Sequence, residues 1–125
     1  MKLLIDFDVV IYGMDAYGRV QGHIEIERMP SAGEEIAFLG EGKVLPSHLA
    51  DRIRPEYVRD MKRALAGLRD DFNSRLKVTH VVGDPGQPSI MLETVCMDSE
   101  KDAKDLHQWL SSNTALDVLA WKELL

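Results

Sequence analysis

Two carboxylates sit two residues apart within an apolar run, Leu3-Leu4-Ile5-Asp6-Phe7-Asp8-Val9-Val10-Ile11. On an extended chain, residues i and i+2 point to the same side, so Asp6 and Asp8 share a face. Neighbouring carboxylates support three kinds of chemistry. One can attack an electrophile while the other moves a proton. Both can ligate a divalent cation through oxygen. Both can pair with basic groups of a partner. The other reactive side chains are scattered. His23, His48, His80 and His107 form no H-x-x-x-H ligand spacing. His80 and His107 fall on apolar faces and read as core histidines with satisfied hydrogen bonds. Cys96 is the single cysteine, which leaves no internal disulfide and no cysteine-based zinc site. On a strand it reads as a small buried hydrophobe.

The apolar strand running into Asp6-x-Asp8 resembles the first motif of the haloacid-dehalogenase-like phosphatases. Val81-Val82-Gly83-Asp84 is similar to that family's later strand-Gly-Asp motif. The resemblance implies Asp6 as nucleophile, Asp8 as general acid/base, and magnesium beside them. It also implies a parallel βαβ core. The chain departs from the pattern at Val9, where the family places glycine, and no assignable second-motif Ser/Thr or lysine follows.

The elements that must position these groups follow from periodicity. Residues 3–12 alternate as a strand, with Leu3, Ile5, Phe7, Val9 and Ile11 on one face and Leu4, Asp6, Asp8, Val10 and Tyr12 on the other. A turn over Gly13–Gly18 leads to a second alternating run over 19–28. There Val20, Ile24 and Ile26 face inward, and Arg19, Gln21, His23, Glu25 and Glu27 face outward. Pro30–Gly33 is a turn and 35–39 a short third strand. Ser47 is placed to cap a helical turn over 48–53. Val58, Met61, Leu65, Leu68 and Phe72 form the apolar stripe of a long helix over 56–73. Residues 76–82 read as a strand with Leu76, Val78, His80 and Val82 on one face. Residues 90–97 read as a central strand, apolar on both sides. Ser99-Glu100-Lys101-Asp102 resembles a capping box. It opens a helix with Ala103, Leu106, His107 and Leu110 inward. Residues 116–121 fit a strand or a helix, with a slight preference for the strand. Trp109 and Trp121 would suit interface anchors if exposed.

The order is β-β-β-α-β-β-α-(β). That predicts an α+β fold, an antiparallel or mixed sheet of five to six strands with two main helices on one face, as a single domain over 1–125. A hairpin turn centred between Asp15 and Ala16 would set Asp8 opposite His23 and Asp6 opposite Glu25. Asp6, Asp8, His23, Glu25 and Glu27 would then crowd one surface, and like charges directly opposite are unfavourable. Solvent screening could offset that repulsion. So could pairing with the basic flank of the long helix (Arg59, Lys62, Arg63 and Arg69), within the chain or across a dimer. A third route is a divalent metal on Asp6, Asp8, His23 and Glu25.

Charge narrows the function classes. Fifteen basic and 21 acidic residues give a net −6, which disfavours nonspecific nucleic-acid binding. The window 52–77 carries eight basic against four acidic residues, so the chain is electrically two-sided. No apolar run reaches the length of a membrane span. Asp6 and Asp8 interrupt the N-terminal apolar residues too early for a secretory signal. A reducing, cytoplasmic setting is expected. The reading favours binding over catalysis. It places a protein partner, or a second copy of the chain, on Leu4, Asp6, Asp8, Val10, Tyr12, His23, Glu25 and Glu27, and implies no cofactor. A magnesium-dependent phosphohydrolase using Asp6 and Asp8 is the alternative.

Overall fold

The structure is a computed structural model and describes residues 2–11, 16–40, 42–53, 74–83 and 86–120. Residues 13–15 of the turn expected over Gly13–Gly18, the long helix over 56–73 with its basic flank Arg59, Lys62, Arg63 and Arg69, and Tyr12, Asp84 and Trp121 lie outside these residues; 16–18 belong instead to the second strand, which runs over Ala16–Glu25 and not over 19–28. The described elements are β1 (Lys2–Ile11), β2 (Ala16–Glu25), β3 (Glu35–Ala37), α1 (Ser47–Ala50), β4 (Arg75–Val82), β5 (Ser89–Leu92), β6 (Val95–Met97), α2 (Glu100–Asn113) and β7 (Asp117–Ala120). They form an α+β fold in which seven strands join in one mixed sheet, ordered β3-β4-β5-β1-β2-β7 with β6 also on β1. That is one or two strands more than the pattern predicts. The extra strand arises because 90–97 is not continuous. β5 and β6 both run parallel to β1, and a break at Glu93–Thr94 separates them.

β1 lies inside the sheet, and its burial alternates strictly along its length. Leu3, Ile5, Phe7, Val9 and Ile11 enter the core, where Phe7 meets Phe38 edge-on at 5.3 Å. α2 covers this face through Ala103, Leu106, His107 and Leu110, the stripe the spacing predicts. Each buried aliphatic side chain of this kind contributes about 1.5–3 kcal/mol relative to exposure. Ser99 caps α2 by accepting a hydrogen bond from the Asp102 amide. The Asp102 carboxylate does not reach back as a capping box would. It binds Arg52 at 2.7 Å instead, which fastens α1's end to α2. Of the two conformations that fit residues 116–121, the strand forms, over 117–120, and it pairs antiparallel with β2.

Three local expectations are corrected. Ser47 is the first helical residue of α1 and makes no capping hydrogen bond; Pro46 takes the cap position. β3 ends at Ala37. β4 contains a bulge between Val78 and His80, and an inserted residue reverses which side chains face the core. Leu76 and Val78 are buried, while His80 is exposed opposite Met91. Thr79 marks the bulge, and its hydroxyl donates to the Met91 carbonyl.

Candidate functional site

The hairpin forms, with a register that differs by four residues from the expected one. Asp8 pairs with Arg19, Asp6 with Gln21, Leu4 with His23 and Lys2 with Glu25. Two opposite-charge pairs thereby replace the like-charge pair Asp6–Glu25 of the expected register, which is the favourable arrangement across a strand pair. The same register sets Phe7 against Val20 and Leu3 against Ile24 in the core. From Lys2 to Val9 the slip is an even four residues, so the paired side chains keep their expected faces.

Arg19 therefore takes the position between the two aspartates. Its Nε lies 3.1 Å from Asp6 Oδ1 and 3.5 Å from Asp8 Oδ1. Only the Asp8 contact is aligned as a hydrogen bond, with Arg19 donating. Asp6 Oδ1 is sealed from solvent and accepts no aligned hydrogen bond. The Asp6 side chain is 17% exposed and that of Asp8 34%. Burial, the largest influence, raises the Asp6 pKa; Arg19 opposes this, and Asp8 adds to it. The source of balancing charge is thus Arg19 on the adjacent strand. Arg19 falls on the outward face in the sequence pattern, but nothing in that pattern marks it as the counter-charge.

The rest of the predicted site is dispersed along that outer face. Leu4 and Val10 are half-buried. His23 is exposed, and its Nε2 lies 3.0 Å from Gln87 Nε2, whose amide N–H donates to it in the tautomer that leaves Nε2 unprotonated. It stands four residues along β2 from Arg19, about 13 Å at the usual strand rise. Asp6, Asp8, His23 and Glu25 therefore do not converge as one metal shell. Among the described residues no group of three or more His, Cys, Asp or Glu is arranged to hold a metal. β1 folds back into antiparallel β2, not into the crossover helix that the phosphatase resemblance implies. Met91 and Val82 lie on the same outer face and are 38% and 52% exposed. Cys96, opposite the half-buried Val10, is fully buried.

His107 is buried at 5% exposure with its ring edge-on to Tyr17 at 4.9 Å. It is the core histidine expected, but its Nε2 has no hydrogen-bond partner. Burial alone pushes its pKa down to about 4.

A cleft of about 610 Å³ opens where β2 runs out towards β3. Glu25 and Glu27 of the predicted site lie on its rim. Its other wall comes from Glu34–Ala37, which no local pattern connects to them. No helix among the described residues is long and apolar enough to cross a membrane. Comparison with family models, with characterised proteins and with solved structures finds no match to this chain.

Proposed function

We propose that the chain is a binding module that recognises a protein partner through the outer face of its sheet, in a reducing compartment such as the cytoplasm. One observation carries this reading: the Asp6–Arg19–Asp8 cluster is partly desolvated and stands on a face with exposed Met91 and Val82. Charges set beside apolar side chains suit an interface, where apolar area supplies affinity and charge selects the partner. Leu4 and Val10 add apolar area around the cluster. His23 and its Gln87 contact add a polar border.

The test is affinity capture from the native host, comparing the natural chain with an Asp8→Lys, Arg19→Glu double variant. The double variant keeps an opposite-charge cross-strand pair while reversing the surface pattern. A control variant, Lys104→Glu, lies on the exposed side of α2. A protein retained by the natural chain and the control, but lost by the double variant, supports the reading. Capture that is identical for all three refutes it. A magnesium-dependent rise in melting temperature that Asp6→Asn abolishes would also overturn it in favour of phosphohydrolase chemistry.

A further inference from the structure

Most of the charged groups along the cleft between the end of β2 and β3 are engaged by the chain itself. Arg28 grips both oxygens of Glu34, and the Ser31 amide donates to Glu34 at 2.8 Å. Arg75 donates to the Glu35 carbonyl at 3.1 Å. Glu25 and Glu35 also interact within the chain. Glu27 stands exposed at the rim. The surface left for a ligand is the apolar lining of Ile24, Ile26, Pro30 and Ile36. Ile36 belongs to the core, and Ile24 and Ile26 pack against it while remaining only half-buried. The cleft is therefore an opening onto the apolar core, with isoleucine surface left in contact with water. Its volume of about 610 Å³ falls in the range of pockets that bury small ligands.

We infer that this cleft binds a small, uncharged ligand with an aliphatic chain, which lies on Ile24, Ile26 and Ile36 and leaves its polar end at the rim. Removing that apolar surface from water supplies the affinity. The ligand's charge is set by what the walls withhold. The two arginines are directed to Glu34 and to the Glu35 carbonyl, so an anion finds no free cation and meets Glu27. A cation finds the solvent-exposed Glu27, and an exposed pair of that kind contributes little. A charge drawn deeper without a partner is penalised.

The experiment is a titration of isoleucine-methyl-labelled protein, followed by NMR, with hexanol, octanol, octanoate and octylammonium. It is run at about 0.15 M ionic strength so that long-range charge effects are screened. Octanol is expected to give saturable shifts at the Ile24, Ile26 and Ile36 methyls. Two more methylenes should make it bind about tenfold more tightly than hexanol. Octanoate should bind at least about fivefold more weakly than octanol, and octylammonium no more tightly. Ile26→Gln should weaken octanol binding about fivefold or more. Val82→Gln makes a like change on the outer face, where Val82 is 52% exposed, and should leave binding unchanged. No saturable shift at the three methyls, equal affinity for hexanol and octanol, or an ion that matches (octanoate) or exceeds (octylammonium) octanol would overturn the inference. So would equal weakening by the two variants. The chain-length and headgroup comparisons use the natural protein, so they decide the matter even if Ile26→Gln fails to fold. None of these measurements alters Asp6, Asp8 or Arg19, so failure here is distinguishable from failure of the outer-face reading.

Discussion

Replacing His107 by leucine should remove a defined part of the acid sensitivity of this fold. His107 is 5% exposed, has an unpartnered Nε2 and titrates near 4 because burial penalises its charged form. In the unfolded chain the same side chain takes up its proton near 6.5. Between those values the unfolded state holds more protons than the folded one. Stability therefore falls as pH drops through this window, and it is unaffected by His107 above about 7. A shift from 6.5 to about 4 corresponds to about 3 kcal/mol, at about 1.4 kcal/mol per pH unit. For a domain of this size that is a fall of roughly 12 °C in melting temperature, at about 4 °C per kcal/mol. Carboxylates also titrate in the lower half of the window, so the informative quantity is the difference between the natural chain and His107→Leu. Urea unfolding from pH 7.5 to 4 should show that difference growing in favour of the variant as pH falls. An NMR titration of the His107 ring should report a pKa well below 6. Parallel stability curves, or a ring pKa above 6, would refute the reasoning.

Three further outcomes follow from particular contacts. Asp6→Asn should stabilise the protein at neutral pH by up to about 1 kcal/mol, since burial disfavours the Asp6 anion more than Arg19 favours it. The gain should fade as pH falls through the raised Asp6 pKa, and a loss of stability at pH 7 would contradict it. Gly22→Ala should cost about 1–3 kcal/mol, because the new Cβ would lie 2.9 Å from Leu116 Cδ2 and 3.1 Å from Leu116 Cα. An unchanged urea midpoint would show that the β7 approach can yield. Ser74 sits at φ 61° and accepts a 2.6 Å hydrogen bond from the buried Leu45 amide. Ser74→Ala should cost about 1–3 kcal/mol. Ser74→Gly should cost less, since glycine relieves the left-handed backbone; the reverse order in thermal unfolding would count against this account.

What the amino-acid sequence determined alone is the set of local patterns. Alternation along Leu3–Ile11 settles which side chains of β1 are buried, because side-chain direction on a strand depends only on the residue's own position. The stripe Ala103, Leu106, His107 and Leu110 identifies the buried face of α2 for the same reason, and Ser99 marks its start through its contact with the Asp102 amide. The shared face of Asp6, Asp8, His23 and Glu25 was legible too, since it survives any even shift of register. Their spacing along that face was not. It depends on which residues of β2 meet β1, and so on the turn and on the balance of cross-strand charge and core fit. Arg19 therefore replaced His23 opposite Asp8. The position of His80 turned on a single bulge in β4 and its fit against β5. The cleft is the clearest product of tertiary structure alone. Ile24 on β2 and Ile36 on β3 are twelve residues apart, and neither carries a local mark of the cavity they line. Periodicity is a property of one segment and can be read from it. Register and cavities belong to pairs of segments, and only the packed chain decides them.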